Sequence, residues 1–151
     1  MYKINRIQIR GFRRLYEVDL PVRSPMVLIG PNSVGKTSVL DACSILSASA
    51  AGKLNNTLSR KGGIADNLTY DRGREMSFHV DMAVPGHKPL EYVFHLTPSG
   101  ASYSISEEVL SQEREGYAEP FKHIESDHGD IRYFNIEDGK LVRPNWPHNP
   151  L

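Results

Sequence analysis

Two glycines, a lysine and a threonine set the first question in this chain. Gly30, Gly35, Lys36 and Thr37 sit in "GPNSVGKTS" at the G-x-x-x-x-G-K-[ST] spacing of a phosphate-binding loop. Glycine lets backbone N–H groups turn inward and approach anion oxygens with no Cβ in the way. Lys36 supplies a compact ammonium for the β- and γ-phosphates of a nucleotide. Thr37 offers its hydroxyl to a magnesium ion, and a helix starting there aims its positive end at the same anion. The predicted nucleotide-contacting set is therefore Gly30, Asn32, Ser33, Val34, Gly35, Lys36, Thr37 and Ser38.

The elements around the loop have the right character to hold it. "MVLIG" just before it is a short continuous apolar run, the pattern of a buried central strand. "KTSVLDACSILSAS" just after it carries Val39, Leu40, Cys43, Ile45 and Leu46 at near-helical spacing. Upstream, "YKINRIQIRGF" alternates and reads as an edge-type strand, and "RRLYEVDLPV" continues the pattern to Pro21. Downstream, "AGKLNNTLSRKGG" reads as a short second helix stopped at Gly62-Gly63. From residue 76 the character changes to short alternating segments rich in aromatic and β-branched residues. Pro85-Gly86, Pro98-Gly100 and Asp138-Gly139 separate them, connections too short for a crossover helix, so residues 76–142 should be antiparallel. Asp138-Gly139 is suited to a type I′ hairpin turn. The expected organisation is α/β: strands, loop and helices over 1–63, an antiparallel meander over 64–143, and a proline-rich tail over 144–151. In that tail Trp146 is the expected apolar cover for an open sheet edge beside the loop strand.

Bulk properties narrow the setting. A chain of 151 residues is one domain in size, and 39% hydrophobic with 24% charged residues is ordinary for a globular protein. No run is long enough to span a bilayer, no leader-like stretch opens the chain, and Cys43 is the single cysteine. The expectation is a cytoplasmic protein with no membrane partner. Net charge is zero but uneven. Residues 1–75 hold 12 Lys/Arg against 6 Asp/Glu, and residues 76–151 hold the reverse. A basic first half suits phosphate ligands.

"INRIQIRGFRRLYEVDLPV" followed by "MVLIGPNSVGKTSVLDAC" resembles the opening of SMC/RecF-like ABC-type ATPases. Within these it is most similar to the predicted AAA-type ATPases related to the OLD family. The pieces that carry the resemblance are Gly11-Phe12-Arg13, Gly30-Pro31-Asn32 and Leu40-Asp41-Ala42. Two positions depart from it: Ser33 stands where a glycine is usual, and Val34 where a small polar residue is. The resemblance implies ATP and Mg²⁺ as cofactors and work in DNA repair or phage defence. It also implies a composite site completed by a C-terminal ATPase half or a second protomer, with DNA reached through the full assembly. It places Arg13, with Arg14 beside it, near the nucleotide, and makes Gln112 a candidate magnesium-contacting glutamine beside Thr37. The apolar strand ending in Asp-Glu, the signature serine and the switch histidine of such enzymes have no counterpart here. No catalytic residue is therefore assigned to the chain, and ATP turnover by it alone is not expected.

Two other readings stand beside this one. A GTP-binding protein would need Asp-x-x-Gly after the loop and Asn-Lys-x-Asp, and neither spacing occurs. A non-catalytic interaction module would keep the loop as a structural anion nest. Asp41 reads as a partner for backbone or a cation rather than for magnesium. His123, Asp127, His128 and Asp130 have ligand chemistry but lie in an acidic, weakly patterned segment. Tyr92, Phe94, Tyr103, Tyr133 and Phe134 read as core rather than as a stacking surface.

Overall fold

A computed structural model describes residues 3–70, 73–100 and 102–143; the tail with Trp146 lies outside the described residues. The strands are β1 (Lys3–Phe12), β2 (Leu15–Pro21), β3 (Met76–Ala83), β4 (Leu90–Ser99), β5 (Ser102–Gln112), β6 (Phe121–Asp127), β7 (Asp130–Asn135) and β8 (Lys140–Val142). They form one sheet in the order β2-β1-β3-β4-β5-β6-β7-β8, every neighbouring pair antiparallel. Helices α1 (Lys36–Ala50), α2 (Leu54–Arg60) and α3 (Gly63–Asn67) all fall between β2 and β3.

Period-two alternation gives the sheet one apolar and one polar face. Ile7 and Ile9 of β1, Phe78 and Val80 of β3, and Phe94 and Leu96 of β4 are buried on the apolar face. The helices cover that face with Ala42, Ile45, Leu54, Leu58 and Ile64. Phe78 sits centrally, its ring centroid 5.9 Å from Phe12 and 6.2 Å from Phe94. Full burial of such side chains stabilises by roughly 1.5–3 kcal/mol each, which makes this three-strand patch the anchor for α1. The opposite face is polar, with Arg6, Gln8 and Arg10 on β1 aligned with Asp81, His79 and Ser77 on β3.

The antiparallel expectation for residues 76–142 matches the sheet, and α1 begins at Lys36 as the apolar spacing required. Four expectations are corrected. β1 is not an edge strand, since β2 and β3 flank it; its alternation reflects a solvated face, not a solvated edge. Residues 26–30 form no strand, and Val27 and Ile29 are 75% and 91% exposed. A parallel strand of this kind is stabilised by neighbours on both sides, and none of the described strands lies alongside it. The α/β expectation is corrected with it: the described architecture is a strand-rich antiparallel sheet with helices on one face. Finally, Asn135 pairs with Lys140, so residues 136–139 make a four-residue connection rather than a two-residue type I′ turn. There Gly139 (φ +64°) donates its N–H to the Asn135 carbonyl at 2.9 Å. The two-residue hairpin with both φ angles positive is instead His128-Gly129, between Asp127 and Asp130.

Candidate nucleotide-binding site

The loop is built on left-handed backbone. Ser33 has φ +70° and Gly35 φ +104°, so amide groups on either side turn toward a common concavity, as an anion nest requires. Gly35 is also sterically fixed. A Cβ there would lie 2.9 Å from Leu15 Cδ2 and 3.8 Å from Arg14 Cβ. Leu15, which opens β2, is 3% exposed, so its side chain would have to shift within the core. This contact brings the β1–β2 turn against the loop. The result is a cleft of about 180 Å³ lined by Arg14, Asn32, Ser33, Gly35, Lys36, Thr37 and Ser38. Small-molecule pockets run from about 300 Å³ upward, so the cleft by itself is sized for a phosphate tail, with the rest of a nucleotide outside it.

Most of the sequence-derived set converges here. Asn32, Ser33, Gly35, Lys36, Thr37 and Ser38 line the cleft. Gly30 contributes its carbonyl, which with that of Pro31 accepts from Lys36 Nζ at 2.6 Å each. Val34 is 53% exposed and does not line the cleft, so of the two departures from the usual pattern Ser33 faces the concavity and Val34 leaves it clear. Thr37 is exposed at the first turn of α1, where a hydroxyl meets a cation without displacing packing.

Of the two arginines in the turn, Arg14 lines the cleft and Arg13 turns away from it. Arg13 has φ +48°, a conformation that costs a non-glycine residue about 1–2 kcal/mol. Three contacts hold it. Its N–H donates to the Asn67 carbonyl at 2.7 Å, its Nε to Asn67 Oδ1 at 2.9 Å, and its guanidinium pairs with Asp41. Lys61 pairs with the other oxygen of Asp41. Asn67 is fully buried, and its amide donates to the carbonyls of Lys61 and Gly63 at 3.0 and 2.6 Å. Asp41 thus takes cations, one of the two roles its sequence position allowed, and clamps α1 to the turn that carries Arg14. Arg13 acts on the cleft by holding that turn. The pairing of one arginine inward and one outward follows from the turn's φ angles, which residue types alone do not give.

Gln112 lies apart from the loop, its amide donating to the Lys88 carbonyl at 2.6 Å across the end of β5. His123, Asp127, His128 and Asp130 are not gathered. His128 Nδ1 lies 2.5 Å from Asp127, Asp130 is engaged by Arg143, and His123 packs edge-on to Phe121. Phe94 is core, and Tyr92 and Tyr103 pack against it half-buried, whereas Tyr133 is 37% exposed. Burial pushes the Cys43 thiol up, so the single cysteine of the chain stays protonated near neutrality. No helix among the described residues is long and apolar enough to cross a membrane.

A glycine-lysine-threonine loop opening a buried helix, with an arginine facing it, defines a P-loop nucleoside-triphosphatase type of site. The family model of the AAA ATPase domain matches residues 2–138, and the chain belongs to that family. A curated relative, the OLD nuclease of Thermus scotoductus (strain ATCC 700910 / SA-01), is 30% identical over 78 residues. That stretch is 52% of this chain and 14% of the relative.

Proposed function

We propose that the chain is the ATP-binding lobe of an OLD/SMC-like ATPase. The cleft carries this reading: Lys36, Arg14 and the loop residues Asn32, Ser33 and Gly35 line one concavity together with Thr37 and Ser38. The donors fit a polyphosphate and leave one hydroxyl for Mg²⁺. Bound there, ATP·Mg²⁺ would be held by Ser33–Gly35 amides, Lys36, Arg14, Thr37 and Ser38. To receive it, Lys36 Nζ exchanges two neutral carbonyl acceptors for anionic phosphate oxygens, adding full charge on the acceptor side.

A composite site is part of the proposal. The cleft is sized for phosphates, and Val27, Ile29, Val34 and Leu40 of the same segment are exposed apolar side chains. A C-terminal ATPase half or a second protomer would pair with residues 26–30, cover these side chains and house the base. Among the described residues, no carboxylate lines the cleft. Metal-assisted phosphoryl transfer depends on groups that position the metal and the attacking water, so hydrolysis is assigned to the assembled machine. The OLD nuclease relative supports nucleic-acid work for that machine, in DNA repair or phage defence, with the compartment proposed as the cytoplasm.

A second reading, an interaction module that keeps the loop as an anion nest, is favoured by one observation: Lys36 is already satisfied by its own loop. Equilibrium binding of ATP·Mg²⁺ to the wild type, Lys36→Ala and Arg14→Ala separates the two. The nucleotide reading predicts saturable binding weakened about tenfold to a hundredfold in each variant, the loss of one charge-assisted hydrogen bond. Negligible or equal binding by all three favours the nest.

A further inference from the structure

We propose that the polar face of the sheet carries a divalent-metal site of the zinc class, formed by His79, Asp81 and Glu91. The site is remote from the loop chemistry. His79 and Asp81 are two residues apart on β3, on the face opposite the buried Phe78 and Val80, while α1 covers the buried face. Glu91 on β4 is the direct register partner of Asp81. One imidazole and two carboxylates are thus fixed to adjacent sheet strands rather than to a loop. Their ligand atoms all lie within 4.8 Å of one another, and among the described residues they form the one such group.

The distances are wider than those of a tightly hydrogen-bonded cluster and leave space for an ion. His79 Nε2 stands 3.4 Å from Asp81 Oδ1 and 3.3 Å from Glu91 Oε1. That nitrogen is itself buried and makes no hydrogen bond, although two carboxylates face it. A hydrogen bond would draw N and O to about 2.7–2.9 Å with good alignment. A tetrahedral ion with ligand bonds of about 2.05 Å instead sets its donors about 3.35 Å apart. The two spacings that involve His79 match the second case, and the carboxylate oxygens lie within 4.8 Å of each other.

Charge points the same way. Like charges directly opposite on neighbouring strands are destabilising, and Asp81 and Glu91 occupy that relation. Arg6 on β1, opposite Asp81, is hydrogen-bonded to Asp19, with Nε to Oδ1 at 2.7 Å, and reaches Asp81 through its field alone. A bound dication would offset the repulsion and take the Nε2 lone pair, with the imidazole proton on Nδ1. Mixed nitrogen and oxygen donors favour Zn²⁺ or Co²⁺ over Mg²⁺ and Ca²⁺, which prefer oxygen alone. Three protein ligands leave a fourth position for water. Glu91 is about half exposed, so the group is reachable from solvent.

The test uses the whole chain, free of nucleotide, titrated with Co²⁺ and Zn²⁺. Cobalt reports geometry through its visible absorption, and zinc affinity follows from calorimetry. One equivalent with a tetrahedral cobalt spectrum is expected, displaced by zinc and retained in Cys43→Ser, which removes the thiol as a ligand. His79→Ala and Glu91→Gln should each weaken binding by at least about tenfold, since loss of a group merely supporting a ligand already costs 10–100-fold. Circular dichroism on each variant confirms folding. Glu91, on the surface, carries the test if His79→Ala unfolds. Absence of binding to wild type, or binding unchanged in Glu91→Gln, overturns the site.

Discussion

Asp41→Asn is the perturbation that best separates the structural from the catalytic reading of the loop's surroundings. Asp41 takes Arg13 on one oxygen and Lys61 on the other, and is 17% exposed. The amide keeps the shape but removes the charge, and it turns an NH₂ group toward one of two cations. Charge-assisted hydrogen bonds contribute about 1.5–3 kcal/mol each, and breaking a fully buried pair costs about 3–5 kcal/mol. The cations here are 28% and 22% exposed, so water recovers part of their hydration. We expect a net loss of about 2–3 kcal/mol, toward the low end of those ranges. For a chain of this size that is a fall in Tm of roughly 5–10 °C. Thermal and urea unfolding measure it, and added salt should narrow the gap between variant and wild type. A Tm within about 1 °C of wild type, together with lost ATP·Mg²⁺ affinity, would place Asp41 at the metal and refute the clamp.

Three further outcomes are expected. Gly11→Ala should lose at least about 2 kcal/mol, because a Cβ there meets the Glu75 carbonyl oxygen at 2.1 Å on a φ of +71°; Gly116→Ala, at φ +81° in open space, bears only the backbone penalty of about 1 kcal/mol. Equal urea midpoints for the two would show that the β1–β3 approach is looser than described. Burial, with Glu108 beside it, pushes the Tyr92 phenol up from its ordinary value, so the stability it contributes is complete below about pH 10 and declines as pH rises above that. The Tm advantage of wild type over Tyr92→Phe should therefore shrink between pH 8 and pH 11; an advantage that grows contradicts the assignment. Purified chain should release no phosphate from ATP above background, and magnesium-dependent release abolished by Lys36→Ala would overturn the need for a partner.

What the sequence disclosed and what it hid divide along physical lines. The loop was legible because glycine, lysine and threonine at fixed spacing encode backbone conformation and charge together. The antiparallel half was legible because connections such as Pro85-Gly86 are too short for any crossover. Residues 26–30 misled because an apolar run records the neighbours a segment prefers, and the described strands supply none. Arg14 could not be told from Arg13, since one positive φ decides which side chain faces the cleft. The His79–Asp81–Glu91 group was hidden because its third member comes from a register, Asp81 against Glu91, that alternation on one strand does not report.

The most direct measurement is residue-resolved: amide chemical shifts of the isotope-labelled chain during titration with ATP·Mg²⁺. The largest changes are expected at Ser33, Gly35, Lys36 and Thr37, with Arg14 following and β6–β7 unmoved. Shifts confined to β6–β7, or a spectrum indifferent to saturating ATP·Mg²⁺, would contradict assignment of this loop as the nucleotide site.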